Sequence, residues 1–200
     1  MFDCVIPAAG ASSRMLAFKP LLPFGSGTVV GATVASALSA GCRVLLVVGN
    51  RGAELAALFE SKPDVVVVEN PLWERGMLGS LQAALDQVRG QCFFTIPADM
   101  PLVKPSVYGL LAHAREVDLA AGAAEASYFA SSSGRAGHPV LVPSLWIGEI
   151  LELPPSGRMK SFLEGRPRVL VEAGSDAVLT DLDRPEDYRA AIARDWPGVK

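Results

Sequence analysis

Four stretches of this chain consist almost wholly of β-branched, leucine or aromatic residues: Cys4-Val5-Ile6, Val44-Leu45-Leu46-Val47-Val48, Val65-Val66-Val67-Val68 and Phe93-Phe94-Thr95-Ile96. A strand with one wet face alternates polar and apolar residues, so unalternating runs of this kind describe strands covered on both faces. Segments with helical spacing lie between them. Residues 28–40 carry Val30, Val34, Ala37 and Leu38 and stop at Gly41, residues 53–60 form a shorter segment, and residues 78–88 carry Leu78, Leu81, Leu85 and Val88 on one face. Strands alternating with helices of this length require right-handed crossovers, so the expected fold is α/β with a doubly wound, mostly parallel sheet.

Beyond Pro105 the pattern is less regular. It suggests a helix over 106–115, short strands near 119–124 and 139–142, helices near 145–151 and 159–164, a strand over 168–172 and a closing helix over 185–193. That last helix has Pro185 in its first turn and Glu186 and Asp187 at its positive dipole end. The stretch Ser131-Ser132-Ser133-Gly134 reads as a loop tip. No repeat or long linker interrupts the chain, so residues 1–200 are expected to form one domain, in which folding buries roughly 70% of the unfolded surface.

Half the residues are hydrophobic and 20% are charged, a mix that excludes a disordered chain. A net charge of -3 provides no basic footprint for nucleic acid or an anionic membrane, and neither is expected as a partner. Any phosphate must be held by a few local cations and backbone N–H groups. No run approaches the ~18 apolar residues of a membrane span. The chain enters its first strand at once, without a visible export signal, so a cytoplasmic location is expected. Cys4, Cys42 and Cys92 are far apart and sit in apolar stretches, and with only His113 and His138 beside them they read as small buried hydrophobes rather than zinc ligands. The scarcity of histidine and the lack of a G-x-S-x-G elbow also argue against a serine hydrolase.

In a doubly wound sheet ligands lie beyond the carboxyl ends of the strands. The loop after the first strand, Ala8-Ala9-Gly10-Ala11-Ser12-Ser13-Arg14-Met15-Leu16-Ala17-Phe18-Lys19, has the composition of a phosphate cradle. Its small residues let backbone N–H groups approach an anion, and Arg14 and Lys19 supply positive charge. It lacks both G-x-G-x-x-G and the Gly-Lys-Ser/Thr ending of a P-loop. The plain alternative is a βα loop with solvated cations. After the fourth run, Pro97-Ala98-Asp99-Met100-Pro101-Leu102 fixes an acid between prolines, where it can hold a magnesium ion against phosphate oxygens or simply cap a turn. Asn70 to Leu81 brings small residues, Gly76, Gly79 and Ser80, to a place where a base or ribose can pack. Asp181 and Asp183 precede the closing helix; either can be a second metal ligand, and Asp183 equally suits the helix cap.

Taken in order, A-A-G-x-S-x-R-M-x-x-x-K, Leu21-Leu22-Pro23-Phe24-Gly25, N-P-x-W-x-x-G-x-x-x-S-L, Asp99 in D-x-P-L, Gly137-His138-Pro139-Val140 and D-x-D-x-P-E-D resemble the MobA-like nucleotidyltransferases, and within them the molybdenum cofactor cytidylyltransferase branch. The resemblance runs over residues 4–190. It implies a Rossmann-like nucleotidyltransferase fold, three-layer α/β/α with a mostly parallel sheet. It also implies that the first loop binds the triphosphate, with Arg14 and Lys19 at its oxygens, and that Asp99 binds Mg2+, helped by Asp183 or Asp181. Ala8, Ala9, Gly10, Ser12, Ser13, Asn70, Gly79 and Ser80 are the residues expected around the nucleotide.

Two departures stand out. Leu16 replaces the glycine that the family carries after the arginine-methionine pair, and Pro154-Pro155-Ser156-Gly157-Arg158 lacks the acid of the family's G-D-x-G-A-R segment. The second lies on the acceptor side. The expected reaction is transfer of a nucleoside monophosphate, CMP from CTP, to a phosphate-bearing acceptor such as molybdopterin, with release of pyrophosphate and with a molybdenum enzyme as the candidate receiver of the product. A phosphate acceptor is already nucleophilic at neutral pH, so a histidine-poor chain suffices. The alternatives are a sugar- or polyol-phosphate acceptor, and a non-catalytic nucleotide-binding partner of a molybdenum enzyme.

Overall fold

The computed structural model describes residues 1–10 and 18–194. In chain order these form β1 (Phe2–Pro7), β2 (Pro23–Phe24), β3 (Gly27–Thr28), α1 (Val29–Ser39), β4 (Cys42–Val48), α2 (Gly52–Ala57), β5 (Val65–Glu69), α3 (Met77–Gln82) and β6 (Cys92–Thr95). Then follow α4 (Pro105–Ala120), β7 (Ser127–Ser132), β8 (Arg135–Pro143), α5 (Ile147–Leu151), α6 (Met159–Glu164), β9 (Arg168–Glu172) and α7 (Pro185–Ala193).

Seven strands make one sheet in the order β5-β4-β1-β6-β8-β7-β9. β8 is antiparallel to both of its neighbours and every other pairing is parallel, which is the mostly parallel sheet expected. The apolar runs are its centre. Alternation in β1 and β4 sends Cys4, Ile6, Val44 and Leu46 into one core with α1 and α4, and sends Val5, Leu45 and Val47 into a second core with α3, α5 and α6. Both faces are therefore apolar, and the sheet is sandwiched between two helical layers. All three cysteines are buried and unpaired. No helix among the described residues is long and apolar enough to cross a membrane.

Thr28 turns out to cap α1 rather than to begin it: its Oγ1 accepts a hydrogen bond from the Gly31 N–H at 3.1 Å, an interaction typically worth ~1 kcal/mol. The segment over 78–88 is not one helix. It divides into α3 and a 3-10 turn at Leu85–Gln87, yet Leu78, Leu81 and Leu85 still reach the same core.

The expected strand near 119–124 is absent. α4 continues to Ala120 and closes with turns at Ala121 and Gly122, because alanines and leucine extend a helix at little cost and nothing β-branched after Val117 opposes it. The strand lies at β7 instead. Ser131 and Ser132, read as part of a loop tip, are buried in it, and Ser132 Oγ donates to Asp176 Oδ1 at 2.6 Å. Only Ser133 and Gly134, both at positive φ (51° and 74°), make the two-residue hairpin turn into β8.

Candidate functional site

The carboxyl edge of β1 and β6 is where the chain's scattered charges meet. Ala8 N–H donates to the Val47 carbonyl (2.8 Å) and Ala98 N–H to the Pro7 carbonyl (3.3 Å), so the loops after β1 and β6 leave the sheet side by side. Thr33 Oγ1 of α1 donates to the Ala98 carbonyl at 3.1 Å, and the Leu182 N–H donates to the Asp99 carbonyl at 3.1 Å. These bonds hold the backbone around Asp99 from both sides and carry residues 181–183 to it.

Lys19 opens a 3-10 turn, Lys19–Leu21, and is buried. Its Nζ donates to Asp99 Oδ2 at 2.6 Å and to Asp183 Oδ1 at 2.9 Å. Burial would pull the ammonium down; the Asp99 charge and the hydrogen bonds to both acids outweigh it and hold Lys19 above its ordinary value. Lys19 is therefore a buried cation rather than a solvated one, and Asp99 is not a turn cap. Asp183 does not cap α7 either. Arg184 occupies that position, and the Asp187 carboxylate accepts the Arg184 N–H at 2.8 Å.

Asp99 Oδ1 is buried with no hydrogen-bond partner among the described residues. Partial burial, then the charges of Asp183 and Asp99, raise the Asp181 carboxyl above its usual range. Two carboxylates, Asp99 and Asp183, thus bond one lysine with the charge of Asp181 nearby, and the Asp99 oxygen without a partner leaves room for further positive charge. Among the described residues no three His, Cys, Asp or Glu side chains form a metal site by themselves. A hard divalent cation that takes one or two carboxylates and completes its shell with phosphate and water fits this donor set.

The remaining expected residues fall into three groups. Ala8 and Ala9 are buried at the end of β1, where the Ala9 carbonyl accepts the Asn50 N–H at 3.3 Å, and Gly10 is exposed beside them with no atom of the described residues within 4 Å of a Cβ built on it. Asn70 and Ser80 are buried against each other: Asn70 Nδ2 donates to Ser80 Oγ at 3.1 Å, and Asn70 Oδ1 accepts the Leu72 N–H at 3.0 Å. They shape the turn after β5, and Gly79 lies in α3, where a Cβ built on it would be 3.6 Å from Arg75 Cβ in the turn before the helix. Ser12, Ser13 and Arg14, with Leu16, lie outside the described residues.

A cavity of about 390 Å³ lies between the β1/β6 edge and the segment 155–160. Its lining is largely apolar, with Pro7, Leu81 and Pro97, and also includes Arg75, Arg158 and Lys160 and, among the described residues, no carboxylate. His138 lines it too. Sequence reasoning placed no role on His138; the signal was the Gly137-His138-Pro139-Val140 string itself. Gly137 is required by packing, since a Cβ there would lie 2.1 Å from the Val178 carbonyl oxygen.

A parallel sheet with acids and a buried lysine at its carboxyl edge, next to a cavity rimmed by cations, suits an enzyme that handles nucleoside triphosphates. The chain belongs to the MobA-like NTP transferase family, whose domain matches residues 4–172, and is on that footing a nucleotidyltransferase. It is 29% identical to the molybdenum cofactor cytidylyltransferase of Escherichia coli K12, over 96% of each chain. The manganese complex of a Mycobacterium tuberculosis H37Rv protein superposes with a TM-score of 0.72 at 26% identity, covering 96% of this chain and 97% of that one. A nucleotidyl transferase from Methanothermobacter shares the fold, with a TM-score of 0.81 at 24% identity and 96% of each chain covered.

Proposed function

We propose that this chain transfers CMP from CTP to the phosphate of a molybdopterin-type acceptor, with Mg2+ as its resident cation. The observation that carries the reading is the buried lysine shared by Asp99 and Asp183, with the partnerless Asp99 Oδ1 beside it. That arrangement prepares a place for a cation and for phosphate oxygens at one edge of the sheet. The similarity to the E. coli cytidylyltransferase supports the choice of nucleotide and acceptor.

In this reading an acceptor phosphate oxygen attacks the α-phosphorus of CTP, a P–O bond forms, and the bond from that phosphorus to the bridging oxygen breaks as pyrophosphate departs. The attacking oxygen is already anionic at neutral pH and needs no general base. Bound magnesium supplies charge neutralisation at the phosphates, held by Asp99 with Asp183 or Asp181. The chain's own work is positioning and fixed charge. Lys19 keeps Asp99 and Asp183 in place and stays protonated, adding to the positive field with Arg14. Backbone groups at Ala8, Ala9, Gly10, Ser12 and Ser13 receive phosphate oxygens, while Asn70, Gly79 and Ser80 form the wall behind the nucleoside. Residues 1–200 act as one domain, working in the cytoplasm, with a molybdenum enzyme as receiver of the product.

Pyrophosphate release with each of the four NTPs, with and without molybdopterin and under Mg2+ or Mn2+, tests this. Release only with CTP and molybdopterin is expected. Release from none of the four removes the catalytic reading, and release with a sugar or polyol phosphate in place of molybdopterin reassigns the acceptor.

A further inference from the structure

β9 ends the sheet, and among the described residues no strand pairs with its far side. Its register on β7 fixes which backbone groups face outward. The Ser127 N–H donates to the Pro167 carbonyl at 3.0 Å and the Ala173 N–H to the Ser131 carbonyl at 2.8 Å. Residues 167 and 173, and by the pleat 169 and 171, thus turn their polar groups toward β7. Arg168, Leu170 and Glu172 therefore present their N–H and C=O groups to the open edge. Their side chains share one face of the strand and all three are exposed, Leu170 at 43%. Native sheets blunt such an edge with a lysine or proline in its middle, or with a bulge. β9 has none of these, only opposite charges at its two ends.

We propose that β9 is the seam of a two-fold dimer of this chain, formed by antiparallel pairing centred on Leu170. In that register Leu170 faces its own copy, Arg168 faces Glu172 of the second chain, and Glu172 faces that chain's Arg168. The three outward residues become the hydrogen-bonded pairs of the ladder, each exchanging both N–H···O bonds. Glu172 Oε1 accepts the Gly174 N–H at 3.3 Å, a bond that leaves the second carboxylate oxygen to the guanidinium across the seam. Moving the axis by one residue sets a charge against Leu170. Moving it by two sets Arg168 against Arg168 or Glu172 against Glu172. Only the Leu170-centred register pairs every charge with its opposite. β5, the other edge, has no such match: Val65–Glu69 carries one charge, and pairing about its centre sets Glu69 against Val65. An isologous contact of this kind closes at two copies. The strands of the second copy run the opposite way, so the carboxyl edges of the two sheets face apart and both candidate sites stay open. The inference uses no residue of the candidate site and does not depend on the reaction. Five residues a side make a small seam, so association should be reversible, with a Kd of about 10 µM or weaker.

Sedimentation equilibrium of the full chain, from about 1 µM to about 1 mM, tests this. Wild type should show a single monomer–dimer equilibrium. Leu170→Lys sets two ammonium groups against each other at the centre of the seam and should weaken the dimer by about tenfold or more. Arg168→Glu and Glu172→Arg each set like charges opposite at both ends, and each should weaken it by about tenfold. Mixed in equal amounts, these two charge variants restore both opposite-charge pairs and should associate as tightly as wild type. Thermal transitions at the lowest concentration check that each variant folds; should Leu170→Lys not fold, the charge variants and their mixture carry the comparison. Wild type that stays monomeric to about 1 mM, or that grows beyond a dimer, overturns the proposal. So does a dimer that folded Leu170→Lys leaves intact, or a mixture of the charge variants that associates no better than its parts.

Discussion

Lys19 Nζ lies 2.6 Å from Asp99 Oδ2, although 80 positions separate the two residues in the chain. The same ammonium reaches Asp183, 164 positions from Lys19. One buried cation thus joins the loop after β1, the loop after β6 and the segment before α7. Its loss would remove the charge that Asp99 and Asp183 share, and breaking one partner of a buried pair typically costs ~3–5 kcal/mol. The carboxyl edge of the sheet and the closing segment are consequently one unit of stability.

Asp99→Asn keeps the shape of the side chain and its bond to Lys19 in part, while removing the charge beside the partnerless oxygen. The variant should fold, bind Mn2+ more weakly by calorimetry, and lose turnover by orders of magnitude, each tenfold corresponding to ~1.4 kcal/mol of lost transition-state stabilisation. Unchanged turnover in a folded Asn variant would remove Asp99 from the mechanism.

Asp181 sets a pH dependence. Its carboxyl is raised by partial burial first and then by Asp183 and Asp99. A carboxyl raised on folding binds more protons in the folded state, so stability falls as pH rises from its ordinary value of ~3.9 through the raised one. In metal-free buffer Asp181→Asn should therefore unfold at a higher temperature than wild type at pH 7, with the difference closing near pH 3. Thermal unfolding in chelator at the two pH values checks the sign; a gain that persists at pH 3 would come from packing instead.

Gly137→Ala forces a methyl to within 2.1 Å of the Val178 carbonyl oxygen and 2.9 Å of Leu179 Cδ2. A backbone atom has little freedom to give way, so the cost should be about 3 kcal/mol or more, lowering the unfolding midpoint by about 6–12 °C at this chain length. Calorimetry gives the midpoint directly, and a shift under 2 °C would show that β8 and the 176–179 turn separate easily.

The base preference should depend on Ala9. The Ala9 methyl is buried at the end of β1, and with the base seated against this loop, as proposed, it would narrow the space for a purine. One methyl discriminates by ~1–3 kcal/mol, so CTP should be favoured by about ten- to two-hundred-fold in kcat/KM. Ala9→Gly should raise kcat/KM for GTP and leave that for CTP nearly unchanged. A CTP/GTP ratio that does not move would place base selection elsewhere.

What the sequence could disclose depended on how local the cause was. The runs at β1, β4, β5 and β6 carry their two-sided burial in their own composition, and α7 is marked by Pro185 and its acids. β7 was misplaced because its signal is weak: Ser127, Ser131 and Ser132 are polar residues buried by partners such as Asp176, which lies 44 positions from Ser132. The same distinction holds at the site. Lys19 and Asp99 were nameable as a cation and an acid at strand ends, but their direct bond is a product of the sheet order. Whether Asp183 capped a helix or faced Lys19 was undecidable from D-x-D-x-P-E-D, since Asp187 could satisfy the Arg184 N–H equally well and does.

β8 runs against its companions, and Thr95 at the carboxyl end of β6 pairs with Val140 while Cys92 pairs with Pro143. The beginning of β8, not its end, therefore lies at the chemical edge, and the Ser133–Gly134 tip extends past that edge. Hairpin tips accept insertions without disturbing the pairing behind them. Lengthening that one turn can thus change what meets the edge from this side while the pairing of the parallel strands stays as it is. Reversing a single strand places a hairpin tip, open to change, beside an edge that the parallel strands hold fixed.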